Sequence, residues 1–105
     1  MNAKLKLFID TSSNQKTIIK IGDKSQQRHS HVWHSQVVLP MITAMLRRQG
    51  CTLSDVTEIE VNPGPGSYTG LRVGVSIANA LGYAFKIPVN GKNVSRLEII
   101  EPQYE

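Results

Sequence analysis

The stretch Asn62-Pro63-Gly64-Pro65-Gly66-Ser67-Tyr68-Thr69-Gly70-Leu71-Arg72 constrains this chain more than any other. Prolines and glycines alternate at its start, so neither a helix nor a strand ladder passes through it and the backbone must turn. An apolar alternating run, Val56 to Val61, leads into it, and a helix-like run leaves it and extends to Phe85. Strand, tight turn and helix N-terminus in that order aim backbone N–H groups at an anion or a close neighbour. Ser67 or Thr69 is placed to cap the helix. No Asp or Glu occurs between Glu60 and Glu98, and Arg72 sits in the first helical turn, so the positive helix end has no local counter-charge. Three uses fit the loop: close packing of strand on helix, an anion site, or a partner surface. A P-loop is excluded because no Lys follows the last glycine. A dinucleotide fingerprint is a poor fit because no acidic residue stands about 20 positions downstream on a following strand.

The helix after the loop carries a second constraint. Gly70, Gly74, Ala78 and Gly82 recur every fourth residue and form a ridge almost without side chains. Each glycine inside a helix costs about 1 kcal/mol relative to alanine, so the ridge predicts an element packed unusually close. The first helix and a partner chain both fit that role. That first helix is read from Ser35 or His34 to Gln49, with Val37, Val38, Met41, Ile42, Met45 and Leu46 as its apolar face. Pro40 predicts a kink or a late start, and Gly50 a stop.

Strands account for the rest. Leu5 to Ile9 and Thr17 to Ile21 alternate as a hairpin around the turn formers Asp10-Thr11-Ser12-Ser13-Asn14. A third, more polar strand is read over Gln26 to Trp33, and Leu53-Ser54-Asp55 connects to the fourth, Val56 to Val61. Ile87-Pro88-Val89 reads as a short fifth strand. Ser95-Arg96-Leu97-Glu98 has capping-box spacing for a brief helix. The order βββαβαβ predicts an α/β fold with a mixed five-stranded sheet and helices packed on it, a single ribonuclease-H-like (actin-like) lobe over residues 1–105.

Composition narrows the function classes. At 105 residues the chain forms one domain, too small for a two-domain enzyme with a closing cleft. Twelve basic and 8 acidic residues leave a net charge of +4, a weak pointer to nucleic acid. The basic residues are scattered and aromatics are few, so no stacking platform is predicted. A single cysteine, Cys51, with no base placed to activate it, reads as an idle thiol in a reducing compartment. No signal-peptide segment is evident, and the longest apolar run, Val73 to Phe85, is too short to span a bilayer. The expectation is a soluble, cytoplasmic protein without a membrane partner. His29, His31 and His34 form His-x-His-x-x-His, read as a solvated strand edge rather than a metal site, since no Cys pair or His-Glu-x-x-His accompanies them. No nucleophile–base arrangement emerges, and no catalytic residue is assigned.

With these residues in view, Pro63-Gly64-Pro65-Gly66-Ser67-Tyr68-Thr69-Gly70-Leu71-Arg72-Val73-Gly74 resembles the central signature of the TsaB (YeaZ) family. Asp10-Thr11-Ser12, His34-Ser35-Gln36 through Leu39-Pro40, and Val94-Ser95 with Leu97-Glu98 resemble its other motifs, so the likeness runs the whole length of the chain. The resemblance implies an actin-like protein that takes part, without catalysing, in the threonylcarbamoyl modification of tRNA adenosine. It implies pairing with itself or with a TsaD-like transferase through the two helices. The interface residues would be Val38, Met41, Ile42, Met45, Tyr68, Gly70, Leu71, Gly74, Val75, Ala78 and Gly82. A TsaE-like ATPase would join the complex, and tRNA would be engaged indirectly. The family continues into a second lobe that this chain lacks, so no complete nucleotide cleft is expected. No cofactor is assigned, and ATP or ADP with Mg would bind only at a shared interface. The alternative is a small phosphate- or nucleotide-binding protein using Asp10, Thr11, Ser12, Gly64, Gly66, Ser67 and Thr69.

Overall fold

The computed structural model describes residues 4–29, 34–93 and 100–103. Three strands come first: β1 (Lys6–Asp10), β2 (Lys16–Ile21) and β3 (Lys24–His29). Helix α1 (His34–Arg48), a single 3-10 turn at Leu53–Asp55, strand β4 (Glu58–Val61) and helix α2 (Tyr68–Phe85) follow. The sheet has the order β3-β2-β1-β4. β1 pairs antiparallel with β2 and parallel with β4, so the sheet is mixed, as the element order predicts.

Alternation along the strands decides which face is covered. Leu7 pairs with Ile21 and Ile59, and Ile9 with Ile19 and Val61. All six are buried and join Val38, Ile42, Met45 and Leu46 of α1 and Val75, Ala78 and Leu81 of α2 in one core. Both helices therefore lie on one side of the sheet, where period-2 strands meet period-3.6 helices. The other side is polar. Lys6 pairs with Glu60 across β1 and β4, and the Lys20 ammonium sits 5.4 Å from the Phe8 ring centre. The hydrogen bond to Glu60, then its charge, holds the Lys6 ammonium above its ordinary value.

Pro40 falls inside a continuous α1 and does not delay its start. It occupies the exposed side of the helix, where a missing N–H donor costs least. The Thr43 hydroxyl, one turn on, donates to the carbonyls of Leu39 and Pro40 at 3.1 and 3.2 Å.

The fifth strand does not form; the described sheet has four. Val89 makes two isolated bridges, parallel to Ile59 and antiparallel to Lys92, rather than a ladder. Asn90 and Gly91 then adopt φ of 50° and 78°, which turns the chain away from the ladder. The Asn90 side chain takes the place of further strand: its Oδ1 accepts the Val61 N–H at 2.8 Å and its Nδ2 donates to the Val61 carbonyl at 3.0 Å. The helix read over Ser95–Glu98 and the tail of the third strand to Trp33 lie outside the described residues. Ile100 is buried against α2. Its backbone is held in both directions by the Asn79 amide, at 2.9 and 3.1 Å.

Candidate functional site

Two regions gather the residues singled out by sequence. The first is the junction of the β1 turn with the glycine–proline loop. Asp10 ends β1, and its Oδ1 accepts the Ser12 N–H at 2.9 Å, the Ser12 hydroxyl at 2.6 Å and Asn62 Nδ2 at 3.3 Å. Asn62 Oδ1 in turn accepts the Gly64 N–H at 3.0 Å. Across the junction the Ser67 N–H donates to the Ser12 carbonyl at 2.8 Å. Gly66 lies so close that an added Cβ would stand 2.6 Å from that same oxygen. The helix cap is Ser67, not Thr69: its Oγ accepts the Gly70 N–H at 3.3 Å. Thr69 is exposed on the first turn.

Thr11 is the residue whose role sequence reasoning missed. It is fully buried, and its hydroxyl enters α2 at the glycine ridge. Oγ1 donates to the Gly70 carbonyl at 2.5 Å and accepts the Gly74 N–H at 3.1 Å. At the N-terminal half of the ridge, Gly70 and Gly74, the close neighbour is thus Thr11, at the end of β1. A Cβ on Gly74 would collide with Thr11 Oγ1 and lie 3.4 Å from Ile9 Cγ2. No local sequence signal marks a pairing 63 positions apart.

The candidate phosphate residues are therefore brought together, and Asp10, Ser12, Gly66 and Ser67 bond or pack against one another. Gly64 (φ +127°) lies against the Gln103 carbonyl, and the Gln103 N–H donates to the Pro63 carbonyl at 2.6 Å. Among the described residues no three His, Cys, Asp or Glu side chains converge as metal ligands. His29 ends β3 in solvent, and His31 lies outside the described residues. Asp10→Ala should loosen this junction, costing about 1–2 kcal/mol for its lost hydrogen bonds. A thermal melt reads that as a drop of roughly 4–8 °C per kcal/mol; an unchanged midpoint would show that the turn holds without the carboxylate.

The second region is the helix pair. Of the eleven interface residues expected, Val38, Met41, Ile42, Met45, Gly70, Leu71, Gly74, Val75, Ala78 and Gly82 are buried within the chain itself. Only Tyr68 is exposed, at 58%. The physical reason is that the broadest apolar face of each helix covers the sheet, so the exposed faces consist of other residues. On α2 these are Arg72, Ser76, Ala80 and Tyr83, flanked by half-buried Val73 and Ile77; on α1 they are Leu39 and Thr43. Arg72 lies over Tyr68, 5.5 Å from its ring centre. Neither helix contains an acidic residue.

Comparison with known proteins places this geometry. A family model described as "TsaD: tRNA N6-adenosine threonylcarbamoyltransferase" matches residues 25–100. The tRNA threonylcarbamoyladenosine biosynthesis protein TsaB of Escherichia coli (strain K12) is 32% identical over 88 residues, covering 81% of this chain and 38% of that protein. Its counterpart in Buchnera aphidicola subsp. Schizaphis graminum is 33% identical over 97 residues, 90% of this chain and 45% of that protein. Among solved structures, YeaZ from Pseudomonas aeruginosa superposes with a TM-score of 0.69 at 28% identity, over 83% of this chain and 42% of that one. The chain thus spans less than half the length of these relatives. With the family model covering most of its length and the YeaZ fold reproduced, the chain belongs to the TsaD family of tRNA N6-adenosine threonylcarbamoyltransferases, as a TsaB/YeaZ-like member with the actin-like fold.

Proposed function

We propose that this chain serves tRNA threonylcarbamoyladenosine biosynthesis as a non-catalytic pairing subunit. It binds a second copy of itself or a TsaD-like transferase through the outward faces of α1 and α2, in a complex that a TsaE-like ATPase and tRNA also join. One observation carries the reading: all four large hydrophobic side chains exposed among the described residues, Leu39, Tyr68, Tyr83 and Phe85, belong to these two helices. Large apolar side chains exposed on one pair of elements, and not on the rest of the described surface, favour that pair as an interaction site. Small residues between them, Ser76 and Ala80, let a facing helix approach closely.

Light scattering on a size-exclusion column tests it, with the chain alone and then mixed with a TsaD protein from the same source. A dimer, or a complex with TsaD, is expected. Ala80→Arg, at an exposed position, should weaken either association by about 100-fold or more, because a charged side chain would be buried unpaired. A strict monomer that ignores TsaD would overturn the proposal, and an association indifferent to Ala80→Arg would move it off this face.

A further inference from the structure

We infer that the groove between β3 and the C-terminal end of α1 contacts the phosphate backbone of RNA. The groove holds about 290 Å³ and is lined by Lys24, Ser25, Gln26, Met45, Arg48 and Gln49. The β2–β3 register extends its positive wall. Lys24 pairs with Ile21, Gln26 with Ile19 and Arg28 with Thr17. Those three β2 residues are buried on the helix-covered side, so Lys24, Gln26 and Arg28 project to that same side, beside α1.

Lys24, Arg28 and Arg48 are all exposed. Among the described residues the ion pair is Lys6 with Glu60, and these three cations have no carboxylate partner. Asp23 precedes Lys24 in the hairpin turn but does not line the groove. Same-face residues on a strand repeat about every 6.7 Å, so Lys24 and Arg28 stand about 13 Å apart. One small anion cannot neutralise both, whereas a polymer of regularly spaced charge can. Gln26 adds a neutral donor of the kind that bonds phosphate and sugar oxygens. No aromatic side chain lines the groove, so the contact reads the backbone rather than stacked bases. The choice of RNA over an acidic protein rests on the tRNA-modification reading above; the location of the charge does not.

The test is fluorescence anisotropy of a labelled tRNA transcript with the chain alone, between about 50 and 200 mM salt. Using the chain without TsaD separates this contact from pairing with a transferase, and light scattering reports self-association independently. Lys24→Gln, Arg28→Gln and Arg48→Gln together should lower the slope of log K against log salt by about 2 to 3, and Arg28→Gln alone by about 1. A charge-matched control, Lys20→Gln, Lys86→Gln and Lys92→Gln, lies outside the groove and should leave the slope within about 1 of the parent. Three results would overturn the inference: equal losses in the control, no salt-dependent binding by the parent, or labelled polyglutamate bound as tightly as the tRNA. The last would make the groove a site for an acidic protein.

Discussion

Gly74→Leu should leave the chain unable to unfold cooperatively from a native state, with its thermal transition lost or broadened beyond recognition. The position is buried in α2, and even a single Cβ there meets Thr11 Oγ1. A leucine adds three carbons more, against a strand end fixed by pairing on both sides. A domain of this size is stable by only about 5–15 kcal/mol, so it cannot absorb that displacement. The same substitution is for this reason a poor probe of partner binding, because it would remove the fold before it removed a surface. Gly74→Ala measures the contact more finely. Overpacking should cost about 1–3 kcal/mol, less about 1 kcal/mol gained from alanine's helix propensity. Thr11→Ala removes the hydroxyl and its two hydrogen bonds, at about 1–3 kcal/mol. In the double variant the alanine methyl at 74 moves into the space the hydroxyl left. Denaturant melts should therefore show the pair less destabilised than the sum by about 1 kcal/mol or more. Strict additivity would mean that the two residues do not share that space.

Gly66→Val is expected to have the next largest effect. Its backbone φ is not in the left-handed region, so the objection to a side chain is space alone. The nearest atoms to an added Cβ, at 2.6 to 3.0 Å, all belong to Ser12, and two of them are backbone. Unlike the end of a flexible side chain, a backbone fixed by the Ser67-to-Ser12 hydrogen bond cannot swing aside. The loop must separate from the β1 turn, breaking that bond and tilting the start of α2. A loss of about 3 kcal/mol is expected, near the upper end for overpacked sites, or a midpoint lower by roughly 12–24 °C at 4–8 °C per kcal/mol. Gly91→Ala is the comparison. Nothing lies within 4 Å of its added Cβ, but its φ is +78°, so it should lose only the 1–2 kcal/mol of left-handed strain. If the two variants melted together, crowding at Gly66 would not be what holds the junction.

The elements whose contacts are local were legible in the residues. Alternation in Leu7, Ile9, Ile19 and Ile21 marks strands whose covered face must be the apolar one, and the structure pairs them in that register. The glycine–proline loop had to turn, and Ser67 was one of two residues able to cap what followed. The family signature in that same loop agrees with the relatives and with the fold. These features depend on neighbours a few residues away, where the period of the pattern and the chemistry of caps suffice.

What periodicity by itself determined was which side of each helix is apolar, and that something must lie close to the glycine ridge. What covers those surfaces was decided by tertiary structure. The apolar faces of α1 and α2 meet their own sheet, so the buried residues there are core and Leu39, Ala80 and Tyr83 are left exposed. The ridge receives Thr11 from 59 to 63 residues away. The expected fifth strand is replaced by the side chain of Asn90, which bonds Val61 across 29 residues. The physical reason is the same in each case. A side chain's capacity to pack or to hydrogen-bond is written in its own chemistry, but its partner is selected only when the chain closes and every buried polar group must find one.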